Sequence, residues 1–206
     1  MILDTEKIEN FKFFLNKIER ETYPEPPSEL HTGITHQVIT YLQNQYPISQ
    51  VNRILDVGCG QGAALDLFQK MEKKTVGITL NQEDLKACRE KGYEVYYMDQ
   101  SFLEFKDGSF DLVWCRHCLE HSIFPIYTLS GFMRVLSPKG YLYVEVPAPE
   151  TSCHHERNPN HYSVLGKEMW ADLFRRTGFT ILDMLDIQFT VQAGPDTYWS
   201  FVLQNS

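Results

Sequence analysis

A glycine-rich turn between a short apolar run and an amphipathic segment constrains this chain most. Residues 53–57, Arg-Ile-Leu-Asp-Val, form the apolar run, and Gly58, Gly60 and Gly62 follow it directly. Residues 63–71 then place apolar side chains at helical spacing. A strand that leads through glycines into a helix brings backbone N–H groups against a ligand, because no Cβ stands in the way. The sequence therefore predicts that a ligand binds at this turn.

Predicted strands and helices alternate after the turn, as they do in parallel α/β sheets. The pattern predicts strands at residues 53–57, 74–78, 93–98, 110–114 and 141–146. Alternation implies βαβ units with right-handed crossovers. The predicted strands 179–183 and 198–203 have no helix between them, so they must pair antiparallel or lie apart. We therefore predict an α/β fold with a doubly wound, mostly parallel seven-stranded sheet and an antiparallel C-terminal strand.

Two helices are predicted before the turn. Residues 5–20 and residues 33–46 both have apolar side chains at helical spacing. Residues 23–28, Tyr-Pro-Glu-Pro-Pro-Ser, separate them, because proline removes a backbone donor and disfavours helix at the preceding residue. The predicted organisation is a single domain, 1–206, made of an N-terminal helical cap, 1–50, and a catalytic core, 51–206.

Length, charge and cysteine content exclude several classes of protein. The chain has 206 residues, which suits one domain, and a formal net charge of −8, which opposes non-specific binding to nucleic acid. No apolar run reaches the roughly 18 residues that span a bilayer. Residues 1–6 include acidic side chains where a secretory signal is basic and then apolar. These features predict a cytoplasmic protein. The five cysteines are an odd number, and we interpret Cys115-x-x-Cys118 as buried thiols.

The glycine spacing also fits a dinucleotide-binding turn. Gly58-x-Gly60-x-x-Ala63 satisfies the looser form of that fingerprint. However, the Asp56 carboxylate lies two residues before the first glycine, where it would repel a pyrophosphate. Thr79 closes the second predicted strand, where dinucleotide-binding proteins carry an acid for the ribose. These two residues argue against an NAD-dependent oxidoreductase, which stays open as an alternative.

Further motifs follow the turn in a fixed order. Asp99 comes after the third predicted strand, residues 107–111 (Asp-Gly-Ser-Phe-Asp) lead into the fourth, and residues 134–140 (Arg-Val-Leu-Ser-Pro-Lys-Gly) precede the fifth. With residues 54–62, these motifs resemble the class I S-adenosylmethionine-dependent methyltransferase family, in its ubiquinone-biosynthesis-like branch (methyltransferase type 11). The resemblance implies a Rossmann-like fold, S-adenosylmethionine as cofactor, S-adenosylhomocysteine as product and a small-molecule methyl acceptor. Whether oxygen, nitrogen or carbon is methylated stays open.

The resemblance also implies which residues hold the cofactor. Its methionine part would lie over Gly58 and Gly60, with Asp56 ordering the turn and countering positive charge. Asp99 matches the acid that contacts the adenine in relatives. The predicted cofactor-binding residues are Asp56, Gly58, Cys59, Gly60, Gly62, Thr79, Leu80, Asp99, Gln100, Cys115 and His117.

The sequence departs from the resembled family at Thr79. The family usually has Asp or Glu there to hold both ribose hydroxyls, and a threonine is more similar to the cyclopropane-fatty-acid-synthase-like branch. The Thr79 hydroxyl or the Gln82 amide could substitute, with fewer charge-assisted hydrogen bonds. A non-catalytic binding module of the same fold therefore stays open as an alternative.

A histidine pattern after the fourth predicted strand permits another chemistry. His117-x-x-Glu120-His121 has the order of an inverted zinc-protease motif. On a helix it would set two histidines on one face. A zinc-dependent hydrolase using His117 and His121 is therefore a further alternative. Methyltransferases of the resembled branch commonly carry the same pattern at this place, and we predict no metal ligand.

Two histidines are predicted to act on the acceptor. His121 is the first candidate for a catalytic base, because its element abuts the glycine turn. His155 is the second, in a polar loop, residues 147–163, that leaves the carboxyl end of a strand, where open α/β sheets bind ligands. This loop and the N-terminal helices are predicted to form a lid over the acceptor.

Overall fold

A computed structural model of the chain describes residues 4–205. Residues 1–3 and Ser206 lie outside the described residues. Residues 1–3 belong to the segment 1–6 from which a cytoplasmic location was predicted. The helices are α1 (Thr5–Arg20), α2 (Glu29–Gln45), α3 (Ala63–Lys70), α4 (Gln82–Glu90), α5 (Pro125–Val135) and α6 (Lys167–Thr177). The strands are β1 (Arg53–Val57), β2 (Lys74–Thr79), β3 (Val95–Tyr97), β4 (Phe110–Arg116), β5 (Leu136–Pro147), β6 (Phe179–Val191) and β7 (Gly194–Asn205).

The strands form one seven-stranded sheet in the order β3-β2-β1-β4-β5-β7-β6. β1 pairs in parallel with β2 and β4, while β3 and β5 extend the parallel arrangement on either side. β7 runs antiparallel to both β5 and β6. The predicted fold class is confirmed. β2 and β4 lie on opposite sides of β1, so the strand order reverses between β1 and β4. Open α/β sheets bind ligands at the carboxyl ends of the strands where the order reverses, and a ligand is therefore expected at the carboxyl ends of β1 and β4.

The central strands are buried on both faces, as parallel strands covered by helices are. In β1 every residue after Arg53 is buried, and β4 and β5 are also largely buried. On one face Trp114 stacks on Tyr143, with ring centroids 4.4 Å apart, in a cluster that α2 and α3 share. On the other face Phe132 of α5 and Phe174 of α6 pack against the strands. The rim at the carboxyl ends of the strands is left for a ligand.

Two capped helices precede the sheet. Asp4 and Ser28 accept hydrogen bonds from the backbone N–H groups of Lys7 and His31, which caps α1 and α2. α2 begins at Glu29, earlier than predicted, because Ser28 supplies the cap. α1 contains no buried residue and covers a cavity instead. Among residues 4–205, none of the helices combines the length and the apolar character that crossing a bilayer requires.

The C-terminal strands are longer than predicted. β6 and β7 form a hairpin joined by residues 192–193, and their pairing extends to Val191 opposite Gly194. Partly buried and exposed side chains alternate along most of β6. Because polar residues interrupt the apolar pattern along β6, the sequence predicted only residues 179–183 as a strand.

Candidate active site

The glycine turn lies between β1 and α3, and its backbone requires glycine. Gly58, Gly60 and Gly62 have φ angles of +69°, +48° and +89°, a region that residues with a Cβ rarely adopt. A Cβ on Gly58 would stand 2.6 Å from the Cys118 Sγ atom. The N–H group of Gly58 donates to the Ile78 carbonyl of β2 over 3.0 Å. The turn is therefore fixed against β2 and has no room for a side chain at Gly58.

Two adjoining cavities open at this turn. The first cavity is lined by residues at the ends of β1, β2 and β4, and Leu15 and Ile18 of α1 cover it. Its empty volume is about 960 Å³, including the part open to solvent. Sites for small organic ligands have volumes of roughly 300–1,000 Å³. The second cavity shares Gly58, Gly60 and His121 with the first and extends to α2. A cofactor and an acceptor can therefore lie side by side.

Most of the predicted cofactor residues line these cavities. They are Asp56, Gly58, Cys59, Gly60, Thr79, Leu80, Asp99, Gln100 and His117. Gly62 lines neither cavity, because a Cβ on it would face the Tyr93 ring 2.7 Å away. Cys115 lines neither cavity either, because it is a free thiol packed wholly within the core. Contact between the lining residues and a cofactor stays a prediction.

Asp56 presents an unused acceptor to the second cavity. Its carboxyl group is buried, and the Oδ2 atom has no hydrogen-bond partner among the described residues. Burial raises the pKa of Asp56 to about 7, although the Arg116 charge acts in the opposite direction. A buried acceptor without a partner is costly, so this carboxyl group is suited to the charged amino group of a bound ligand.

A second unused acceptor lies in the first cavity. The Gln100 amide donates from Nε2 to the Cys118 carbonyl over 2.9 Å, which leaves Oε1 buried without a partner among the described residues. Beside it, the Asp99 Oδ1 atom accepts from the Ser101 N–H group over 2.6 Å. Burial raises the pKa of Asp99. Gln100 and Asp99 therefore offer oxygen acceptors for the N–H groups of an aromatic base.

Thr79 uses its hydroxyl to shape the turn after β2. The Thr79 Oγ1 atom accepts from the Asn81 N–H group over 3.0 Å, and Asn81 in turn caps α4. Thr79 lines the first cavity, but Gln82, its predicted substitute at the ribose, lies in a separate surface depression. The Thr79 hydroxyl hydrogen remains available to donate to a ribose hydroxyl.

Glu25, in the segment between α1 and α2, lies at the site but was not predicted from the sequence. Glu25 lies over the glycine turn, where its carbonyl accepts from the Gln61 N–H group over 3.4 Å. Its own N–H group donates to the Asp84 carboxylate over 3.1 and 3.2 Å. Desolvation by the surrounding groups, and then repulsion from Asp84, raise the pKa of Glu25 to about 7, although part of the residue is exposed. Glu25 lines both cavities, close to the predicted methionine position. The neighbouring prolines, which hold the chain extended, are its only sequence signal.

His117 belongs to a buried polar network. Its Nε2 atom lies 2.6 Å from Glu145 Oε1, and Glu145 also accepts from Arg116 Nε over 2.9 Å and from the Tyr143 hydroxyl over 2.8 Å. The His117 ring stacks on Tyr198 with centroids 4.0 Å apart. Burial lowers the pKa of His117 to about 4. At neutral pH His117 is therefore an uncharged donor to Glu145.

The helix needed for the inverted zinc-protease motif is not formed. His117 follows β4 with a φ angle of +53°, and Leu119–His121 form a single 3₁₀ turn. His117 and His121 therefore do not share a helix face, and the imidazole of His117 is held by Glu145. The alternative of a zinc site through His117 and His121 expected a helix here, and that expectation is wrong.

The two predicted catalytic histidines lie in different surroundings. His121 lines both cavities, and its Nδ1 atom lies 2.8 Å from the Asn160 carbonyl. Burial lowers the pKa of His121. His155 lines neither cavity, and its Nε2 atom lies 3.0 and 3.1 Å from the Asp196 carboxylate oxygens. The geometry thus brings His121, but not His155, to the glycine turn.

Comparison with known proteins shows which family this site is similar to. A family model described as a methyltransferase domain matches residues 55–144. The match covers 90 of the 206 residues, so this chain is similar to methyltransferases over somewhat less than half of its length. S-adenosylmethionine is the cofactor that such a domain implies, and the unused acceptors of Asp56 and Gln100 fit its amino groups. An NAD-dependent oxidoreductase, a zinc-dependent hydrolase and a non-catalytic module are not favoured.

Several known methyltransferases are similar to this chain. Ubiquinone biosynthesis O-methyltransferase of Nitrosococcus oceani is 31% identical over 112 residues, which are 51% of this chain and 47% of that protein. The 27-O-demethylrifamycin SV methyltransferase of Amycolatopsis mediterranei is 27% identical over 128 residues, covering 56% and 47% of the two chains. The chain thus spans about half the length of these curated relatives.

A solved structure supports the fold. The S-adenosylmethionine-dependent methyltransferase from Archaeoglobus fulgidus superposes with a TM-score of 0.67. The match covers 82% of this chain and 94% of that chain at 20% sequence identity. At this identity the likeness establishes the shared fold.

Proposed function

We propose that this protein transfers the methyl group of S-adenosylmethionine to a hydroxyl group of a small organic molecule. The observation that carries the proposal is the pair of adjoining cavities that meet at the glycine turn. The first would hold the cofactor and the second the acceptor. The name of the relative from Nitrosococcus oceani, an O-methyltransferase, supports an oxygen acceptor.

Cofactor binding in the first cavity would use groups that line it, together with Asp56, which lines the second cavity where the two meet at the glycine turn. Gly58 and Gly60 would admit the methionine part, and Asp56 would accept from its amino group. Gln100 and Asp99 would accept from the adenine. When bound, S-adenosylmethionine supplies a methyl group on a positively charged sulfur. The protein's main task is then to align the acceptor with that methyl group and exclude water, which supplies about 7–11 kcal/mol.

Activation of the acceptor would fall to His121. The Asn160 carbonyl can only accept a hydrogen bond, so the Nδ1 atom of His121 carries the hydrogen and Nε2 keeps its lone pair. Because the pKa of His121 is lowered, the ring is uncharged at neutral pH. We infer that its Nε2 atom takes the hydroxyl proton of the acceptor. A catalytic role for His155, the second predicted base, stays a prediction. Its position beside Asp196, outside both cavities, does not support that role.

Transfer of a labelled methyl group to candidate acceptors tests this function. The chain is incubated with S-adenosylmethionine labelled in its methyl group and with phenolic, aliphatic and sugar hydroxyl compounds. Label is expected in at least one hydroxyl compound. Transfer to amine-bearing compounds alone would contradict the proposed oxygen acceptor, and the absence of transfer to any acceptor would contradict the proposed activity.

Replacing His121 by alanine is expected to lower kcat for that acceptor by about 100-fold or more, because the base is lost. His121 lines the two cavities and is not among the buried core residues, so the variant should still fold. His36→Ala is the control, because His36 is exposed on α2 away from both cavities. A kcat within about twofold of the wild-type value would contradict the role of His121.

A further inference from the structure

Two histidines and a glutamate form a cluster in the second cavity that cofactor binding does not use. Glu120, His121 and His161 each offer one ligand atom, and these atoms all lie within 4.8 Å of one another. All three residues line the cavity that meets the glycine turn. Glu120 and His121 come from the 3₁₀ turn after β4, whereas His161 comes from the loop between β5 and α6. Chain folding therefore assembles the cluster from separate segments.

Both imidazoles expose a lone pair. The Nδ1 atoms of His121 and His161 lie 2.8 and 3.0 Å from the carbonyl oxygens of Asn160 and His155. A carbonyl only accepts, so Nδ1 of each ring carries the hydrogen and Nε2 is free to bind. Metal-binding histidines are typically oriented in this way, by a second hydrogen bond from the other ring nitrogen. The rings stand almost perpendicular, at 85° with centroids 4.8 Å apart.

Glu120 completes the cluster with an unused oxygen. Its side chain is 1% exposed, and the Oε2 atom has no hydrogen-bond partner among residues 4–205. A buried carboxyl oxygen without a partner is costly unless a ligand satisfies it. Two imidazole nitrogens and one carboxylate oxygen with open positions are the ligand set of 2-His-1-carboxylate metal centres.

The loop that carries His161 is held beside Glu120. The Ser163 N–H group donates to the Glu120 carbonyl over 2.9 Å, and the Ser163 hydroxyl donates to the Ser122 carbonyl over 2.7 Å. These bonds join the loop to the 3₁₀ turn that carries the other two ligands. The three side chains are therefore positioned by the backbone before any ion binds.

We propose that Glu120, His121 and His161 bind a divalent transition-metal ion such as Zn²⁺ or Fe²⁺. Bonds of about 2.0–2.2 Å place neighbouring ligand atoms roughly 3.0–3.5 Å apart. The ligand atoms lie within 4.8 Å of one another, so their separations need to shorten by at most roughly 1.3–1.8 Å around the ion. His117 is not a ligand, because its Nε2 atom is committed to Glu145. The site is thus distinct from the inverted zinc-protease pattern, and it contradicts the expectation of no metal ligand.

A second cluster of metal-ligating side chains is less suited to an ion. Cys153, His155 and Asp196 also place ligand atoms within 4.8 Å of one another. However, His155 Nε2 already lies within hydrogen-bond distance of both Asp196 oxygens. An ion would have to displace that bond, whereas the Glu120 oxygen has no partner to lose. The cluster around Glu120 is therefore the one we assign.

An ion with three protein ligands keeps open positions towards the second cavity. An oxygen of the acceptor could bind there, and the ion would lower the pKa of that hydroxyl group. With its Nε2 atom bound to the ion, His121 could not also take the hydroxyl proton, so in the metal-bound protein the ion would replace His121 as the group that activates the acceptor. This placement beside the acceptor rests on the proposed function, whereas binding of the ion does not.

Calorimetric titration of the chelator-treated full chain with zinc chloride tests the site. One Zn²⁺ per chain is expected, and His161→Ala should weaken its binding by about 100-fold or more, since losing even an outer-shell partner costs 10–100-fold. Magnesium chloride should bind much more weakly, because Mg²⁺ prefers oxygen ligands. Glu120→Gln, which keeps the side-chain shape, is a second variant should His161→Ala fail to fold.

Cys153→Ser is the matched control, because it disrupts the other cluster and leaves the proposed ligands intact. Its zinc affinity should equal that of the wild type. Absence of stoichiometric zinc binding, or loss of binding in Cys153→Ser with retention in His161→Ala, would overturn the site. Titration of the same wild-type preparation with S-adenosylhomocysteine separates the two proposals. Protein that binds S-adenosylhomocysteine but not zinc overturns only the ion site, and the reverse result overturns only the proposed function.

Discussion

Replacing Gly58 by alanine is expected to weaken binding of S-adenosylhomocysteine by about 100-fold or more, which corresponds to roughly 2.7 kcal/mol. Gly58 has a φ angle of +69°, and an added Cβ would stand 2.6 Å from the Cys118 Sγ atom. The turn or Cys118 must therefore move at the point where the two cavities meet. Isothermal titration calorimetry measures the change in affinity.

Gly92→Ala is the matched control for this prediction. Gly92 ends α4 with a φ angle of +83°, and a Cβ there would meet no atom within 4 Å. It carries the same kind of backbone strain, about 1–2 kcal/mol, but lies outside both cavities. Its S-adenosylhomocysteine affinity should be unchanged. Equal affinities for Gly58→Ala and wild type would show that the turn does not hold the cofactor.

Replacing Glu145 by alanine is expected to lower the free energy of unfolding by about 3–5 kcal/mol, because the buried Arg116 charge loses its partner. Glu145 is wholly buried and holds Arg116, His117 and Tyr143 together. Denaturant unfolding can follow the change through the fluorescence of Trp114, which stacks on Tyr143.

The same network predicts a dependence on pH. Burial would raise the pKa of Glu145, but the hydrogen bond from His117 and the charge and hydrogen bond of Arg116 lower it to about 2. A carboxyl group with a lowered pKa stabilises the fold above its usual value of about 4.5, and this contribution is lost as the pH falls towards 2. The stability difference between wild type and Glu145→Ala should shrink over that interval.

Glu104→Ala is the control for the buried network, because Glu104 is exposed on the surface. Its free energy of unfolding should stay within about 0.5 kcal/mol of the wild-type value. A loss below about 1 kcal/mol for Glu145→Ala would contradict the structural importance of the network.

Features encoded within short stretches of sequence could be predicted. The apolar run that became β1, the glycines after it and the alternation of strands and helices were enough to predict the sheet and the turn. They could be predicted because the periodicity of side chains and the special freedom of glycine act locally. The hairpin of β6 and β7 was underestimated, because polar side chains alternate with partly buried ones along β6.

Features assembled from distant stretches could not be predicted. Glu25 meets the glycine turn through contacts with Gln61 and Asp84, which lie far along the chain. The spacing of His117 and His121 suggested a pair of metal ligands on one helix face, but the chain turns between them. His161, from another loop, lies beside His121 instead. No local pattern encodes such pairings, because tertiary packing decides them.

The central claim is that the glycine turn binds a methyl donor rather than a dinucleotide. Calorimetric titration of the purified chain with S-adenosylhomocysteine, and in parallel with NADH, tests it most directly. One S-adenosylhomocysteine is expected to bind per chain, with the affinity about 100-fold or more weaker in Gly58→Ala and no binding of NADH. Binding of NADH without binding of S-adenosylhomocysteine would contradict the account.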